Sequence, residues 1–285
     1  MARRTSPDAA SALMPRQPVV CSSCRDPQVA DRIANRRRKQ LANGFAILQN
    51  LPVDDEAVDS DTEVEAGERW TCEELLGRFD PVKHPDFARI PSEWTDKQEA
   101  YLRKDVLDAY ARMREAAAHD GVDLLIRSAT RNYDYQCAIW ERKWRLPQYD
   151  GWQPVDRARD ILSYSAMPGT SRHHWGTDID LNSFDNDWFT DGEGVRVYGW
   201  LRAHAAAHGF HQTYDDKSSG RTGYELERWH WSYLPLARPM LDAYNASVAV
   251  DDLTGFSGAA AAGELRVLRD FVNGVDLPPA SVSVA

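Results

Sequence analysis

The chain has 285 residues, 42% of them hydrophobic, with 10 Trp, 11 Tyr and 8 Phe, enough for one generous domain or two small ones around a substantial core. Its formal net charge of −10 argues against a nucleic-acid partner, which normally demands a basic surface, and leaves a cationic or mixed-charge substrate open. No run of about 18 or more apolar residues occurs, so no transmembrane helix is expected.

The first residues, MARRTSPDAASALMPRQPVV, have a basic start but no apolar stretch, so they form no recognisable secretory signal. Pro18, Val19 and Val20 before Cys21 do not make a lipoprotein cleavage site either. Residues 1–30 lack periodicity and read as poorly ordered. Cys21 and Cys24 form a lone CxxC, which without a second pair is better taken as incidental or as a local disulfide. A short basic helix fits Asp31 to Asn43, ended by Gly44, and the acidic run Asp54 to Glu68 suits a solvated linker. Residues 1–69 therefore read as a linker-like region and 70–246 as the folded domain. Residues 247–285 read as a tail with one helical candidate, Glu264 to Val272.

Within the domain, Val106, Leu107, Tyr110, Met113 and Ala117 give Asp105 to His119 helical spacing, closed by Gly121. Residues 122–128 (VDLLIRS) predict a buried strand. Asn132 can cap a helix that carries Tyr135, Ile139 and Trp140 inward. Residues 145–170 look like a long surface loop. Strands are expected over Asp178 to Leu181, Phe210 to Tyr214 and Tyr224 to Tyr233, and helices over Val197 to His208 and Leu236 to Ala246. Cys72 and Cys137 sit in apolar, helical surroundings and read as small hydrophobes. The mixture has no βαβ rhythm, so the class is α+β: a small antiparallel sheet flanked by helices.

Three stretches concentrate chemistry: TRNYDYQ at 130–136, SRHHWGTDID at 171–180 and ERWH at 227–230. A catalytic zinc needs three His or carboxylate ligands, an open position for water, and a carboxylate beside that water. His173, His230 and either Asp178 or Asp180 can supply the ligands; the two aspartates share a strand face because the side-chain period is two. Glu227, three residues before His230, can be the base. His204 and His208 are a competing i, i+4 pair, but Ala205 stands where an HExxH site needs glutamate, so they read as helix decoration. His174, beside His173, would point the other way in an extended chain and is expected either to support the ligand shell from behind or to face solvent.

SRHHWGTDID resembles the S-x-H-x-x-G-x-x-x-D signature of the VanY-type D-Ala-D-Ala carboxypeptidases, and ERWH resembles their E-x-W-H signature. These belong to the wider lysostaphin-like, D-Ala-D-Ala and hedgehog-like zinc folds, and the resemblance extends in weaker form over about Glu73 to Tyr244 through RSATRNYDYQ and WLRAHAAAHGF. It implies Zn2+ at His173, Asp180 and His230, with Glu227 as catalytic acid/base. It also implies Arg131 at the scissile carbonyl, Ser171 holding the substrate's terminal carboxylate, and Gln136 lining that pocket. Trp229 and Trp231 could wall it, although core packing is the commoner fate of Trp. The chain departs from the pattern at Asp178, where the family has a small residue; a hydrogen bond to a ligand histidine is the favoured role. The resemblance further implies a peptidoglycan peptide as substrate and an envelope or periplasmic location, which the missing leader leaves in tension with a cytoplasmic one. The rivals are a D,D-dipeptidase or L-Ala-D-Glu endopeptidase, and a zinc-stabilised binding module without catalysis, against which Glu227 and Arg131 argue.

Overall fold

Residues 69–279 are described by the structure, a computed structural model; the expectations for residues 1–68, Cys21 and Cys24 included, lie outside the described residues. Helix α1 (Cys72–Leu75) opens with a capping box in which Thr71 and Glu74 satisfy each other's backbone amides. Strands β1 (Phe87–Arg89) and β2 (Tyr101–Arg103) pair antiparallel. They lead into α2 (Lys104–His119), which buries Val106, Ala109, Tyr110, Met113 and Ala117 along one stripe. That helix stops in a Schellman turn: Gly121 takes φ 73°, and the amides of Gly121 and Val122 donate back to Ala118 and Ala117.

Strand β3 (Ile126–Ser128) is shorter than the predicted run, because only these residues find a ladder partner. Asn132 caps α3 (Tyr133–Trp144) by accepting from the Tyr135 amide at 2.9 Å. Its inward face is Gln136 and Trp140, whereas Tyr135 is exposed and Ile139 half-buried, so the expected inward set is corrected at both positions. The predicted loop over 145–170 contains α4 (Pro154–Leu162), which starts on a proline and buries Ala158, Ile161 and Leu162 at i, i+3, i+4.

Strand β4 (Asp178–Leu181) is followed by α5 (Gly192–His204), which tightens into a 3-10 turn before Gly209. Strand β5 (Phe210–His211) and β6 (His230–Tyr233) are both shorter than expected. The segment before β6 spends its backbone on loops instead, the Glu225 amide on Ser163 and the Glu227 amide on Tyr214. Helix α6 (Leu234–Ser247) buries Leu236, Met240, Leu241 and Tyr244. Beyond it, Val248, Leu253, Phe256, Val267 and Val272 enter the same apolar core, with a π turn at Leu268–Val272 in place of the longer helix anticipated there.

The architecture is α+β: β3, β4, β6 and β5 lie in that order in one antiparallel sheet, with helices around it. Ile179, Leu181 and Trp231 are buried in the core cluster. Asp178, Asp180, His230 and Ser232 occupy the alternate positions and so share the opposite face. His204 and His208 stack beside Trp200, as helix decoration predicts. Cys72 is buried and Cys137 half-buried, and neither forms a disulfide among the described residues.

Gly176 ends the 3-10 turn that carries His173 with φ 72°, and an added Cβ there would run into the Phe87 ring. Gly151 has a similar φ of 79° but open space around it. Gly176→Ala should therefore cost about 2 kcal/mol or more, the sum of the left-handed penalty and the displaced ring, and Gly151→Ala only the former. Urea denaturation of both variants checks the difference.

Candidate metal centre

The register of β4 against β6 sets Asp180 opposite His230 and Asp178 opposite Ser232. His173 arrives from the 3-10 turn Arg172–Trp175, just before Gly176 turns the chain into β4. His173, Asp180 and His230 are all buried, and one ligand atom from each lies within 4.8 Å of the others.

Hydrogen bonds orient these groups. His173 Nδ1 lies 2.8 Å from the Ala129 carbonyl, which fixes the ring as a donor there and leaves a lone pair on Nε2. That Nε2 has no hydrogen-bond partner and faces the Asp180 carboxylate at 3.3 Å. Two acceptors meeting in a buried site need a cation or a shared proton between them. His230 repeats the arrangement: Nδ1 is 3.1 Å from Asp180 and Nε2 is 3.0 Å from Asp178. With Nε2–H donating to Asp178, Nδ1 is free to join Asp180 at a metal. Ligands about 2.1 Å from a tetrahedral zinc stand ~3.4 Å apart, and the 3.3 and 3.1 Å separations of Asp180 from the two imidazoles suit such an ion.

Protonation follows from the same contacts. Burial lowers the His173 imidazolium, and Arg131 adds to that. Burial would also lower His230, but its bonds to Asp178 and Asp180 outweigh it and push the ring up to about 9. Burial would raise both aspartates. Arg172 and His230 outweigh it at Asp178, His173 and His230 at Asp180, and both carboxyls stay well below their usual range. Glu227 goes the other way: burial pushes it up to about 7, with His230 partly opposing. Its carboxylate stands 3.9 Å from His230 Nδ1.

Asp178 is neutralised by a residue that sequence reasoning missed. Arg172 is buried beside it, with Nε donating to Asp178 at 3.0 Å and a terminal nitrogen donating to Ser232 Oγ at 2.7 Å. The signal was the extra acid itself, since a buried carboxylate demands a matching cation. His174 is also buried rather than solvent-facing. Nδ1 donates to the Arg131 carbonyl at 2.5 Å, and Nε2 accepts from the Gly169 amide at 3.0 Å. Burial takes its pKa down to about 3, so the ring stays neutral in that role.

Two concavities meet at Glu227. A cleft of about 910 Å³ is lined by Arg131, Lys143, Asp180, Glu227 and Trp229 among others. A recess of about 30 Å³ adjoins it, walled by Gln136, Ser171, Tyr214 and Tyr224 with Arg131 and Glu227. Gln136 donates to the Ala166 carbonyl at 2.7 Å, which leaves its buried Oε1 without a partner; Ser171 is buried beside it, and Arg131 Nε has no partner. All seven predicted site residues thus gather around one centre. Trp231 does not, since it lies on the strand's other face.

Residues 99–236 match the family described as VanY, D-alanyl-D-alanine carboxypeptidase. The carboxypeptidase homologue YodJ of Bacillus subtilis is 30% identical over 139 residues, 48% of this chain and 48% of that protein. A D-alanyl-D-alanine carboxypeptidase of Enterococcus faecalis is 30% identical over 120 residues, 42% of this chain and 43% of that one. The chain spans about half the length of these curated relatives. A solved vancomycin-resistance D,D-pentapeptidase VanY variant, in complex with Zn(II), is 22% identical; it covers 58% of this chain and 94% of its own with a TM-score of 0.42.

The buried Arg172–Asp178 pair yields a stability test. Arg172→Met strands the Asp178 charge and should cost about 3–5 kcal/mol in urea denaturation. Adding Asp178→Ala, which restores a small residue, should recover part of that loss; independent, additive effects would contradict the coupling.

Proposed function

We propose, from the match of residues 99–236 to the family described as VanY, D-alanyl-D-alanine carboxypeptidase, that this chain is a zinc-dependent carboxypeptidase removing the terminal D-Ala of peptidoglycan stem peptides. The observation that carries the reading is the buried convergence of His173, Asp180 and His230 with the Glu227 carboxylate alongside. A zinc ion held by those three side chains would supply Lewis acidity and bring a water's pKa towards ~7.

The remaining steps belong to the chain. Glu227 takes a proton from the attacking water and returns it to the amine of the departing D-Ala, so one water is consumed and one peptide bond broken. A base held near 7 by burial is well poised for both transfers. Arg131, whose Nε has no protein partner, donates to the scissile carbonyl oxygen as negative charge develops there. Ser171 and Gln136 line the recess, where the hydroxyl can donate to the terminal carboxylate and the free Oε1 can accept a substrate N–H. A recess this small is closed to a longer C-terminal chain, which favours cutting at the end of a peptide over an internal cut. Such a substrate assigns the protein to the cell envelope. No helix among the described residues is long and apolar enough to cross a membrane.

Metal analysis should find one zinc per chain. Incubation with muropeptides ending in D-Ala-D-Ala should release one D-Ala by mass, stop on chelation and resume with zinc. Loss of a dipeptide, or an internal cut, would move the reading to a dipeptidase or endopeptidase; no turnover with zinc bound would leave a binding module. Glu227→Gln should retain zinc yet lose about 10²- to 10⁴-fold in kcat. Undiminished turnover in that variant would refute the assigned base.

A further inference from the structure

Helix α3 presents Tyr135, Ile139, Arg142 and Lys143 to the large cleft, the i, i+4, i+7, i+8 spacing of a single helical face. Arg131 lines the same cleft from just before that helix. The wall is cationic although the chain carries −10. Other basic groups in the cleft are already matched: Arg127 pairs with Asp96 at 2.8 Å and donates to the Asn182 carbonyl, and Lys97 lies 3.7 Å from Asp96. Among the described residues, Arg131, Arg142 and Lys143 make no salt bridge, and their side chains make no hydrogen bond.

The helix dipole favours basic residues in a last turn, but it does not select their direction. Arg145, next in that turn, is matched by Glu141 at 3.2 Å, whereas Arg142 and Lys143 line the cleft. Lys143 is half-buried, and burial lowers its ammonium; Glu227 opposes this, while Arg131 and Arg142 add to it. A different segment of the rim carries Asp185 and Asp187, which repel an anion.

The geometry points to Lys143 and Arg142 as the seat for a carboxylate that the substrate carries on the acyl side of the bond to be cut. The inference rests on the peptidase reading: the recess takes the departing residue, so the cleft outside Glu227 receives the acyl portion. A carboxylate there meets two unpaired cations, Lys143 half-buried and Arg142 exposed, and can form charge-assisted hydrogen bonds to both. The corresponding carboxamide offers no charge to them. Because the contact lies away from the reacting carbonyl, it stabilises ground and transition states alike and acts through KM.

The test compares acetyl-Glu-D-Ala-D-Ala with acetyl-Gln-D-Ala-D-Ala on the full-length zinc protein at low salt. The carboxylate peptide should have a kcat/KM about tenfold higher, carried by KM. The preference should vanish in the Lys143→Gln, Arg142→Gln double variant, persist in Lys143→Arg, and shrink as salt rises. Equal kcat/KM for the two peptides, or a preference surviving in the double variant, would overturn it. Calorimetric Kd values for the same peptides and variants are read in parallel. If neither peptide is hydrolysed, the carboxypeptidase reading fails, and those Kd ratios decide the carboxylate seat by itself.

Discussion

The antiparallel pairing of β4 with β6 is the constraint on which the centre depends. It places Asp180 across from His230 and Asp178 across from Ser232 on one face, while Ile179 and Trp231 anchor the other face in the core. A slip of one residue would turn every one of these groups over, so burial of the apolar face holds the register of the polar one. The 3-10 turn then adds two neighbours with separate tasks. His173 points its free nitrogen at Asp180, and Arg172 neutralises Asp178.

Three carboxylates within one buried region are driven to different states by what touches them. Asp178 has a guanidinium and an imidazole, and Asp180 has two imidazoles, so both stay ionised. Glu227 has fewer compensating contacts, and desolvation dominates. Groups whose environments force their pKa values apart can divide labour, two holding charge and one exchanging protons near neutrality. The unmatched cations of α3 extend this electrostatic asymmetry outward into the cleft.

The site was legible because its chemistry is local: His173, Asp180, Glu227 and His230 fall in two short motifs, and the strand Asp178–Leu181 has the predicted bounds. What escaped depends on distant partners. Arg172 looks like an ordinary polar residue until Asp178 and Ser232 close around it. Tyr135 and Ile139 have helical spacing compatible with a core, but the helix turns that face to the cleft. Helix α4 was hidden because its short apolar pattern lies among Pro, Gly and Ser. The segment 224–229 has strand-like residues, yet its amides are taken by Ser163 and Tyr214. In each case tertiary contact, not local propensity, decides.

The two adjacent histidines have a consequence for how the ion is acquired. His173 is tied to Ala129 and His174 to Arg131 and Gly169, while Arg131 donates its own amide back to the His173 carbonyl. These bonds hold the 129–131 segment and the ligand turn together without help from a cation. Small zinc domains whose ligands gather only on binding convert metal affinity into folding free energy. Here the scaffold is ordered by its own contacts, so the ion's binding energy is free to appear as retention of the metal. A chain ordered in this way can fold first and take up a metal ion afterwards.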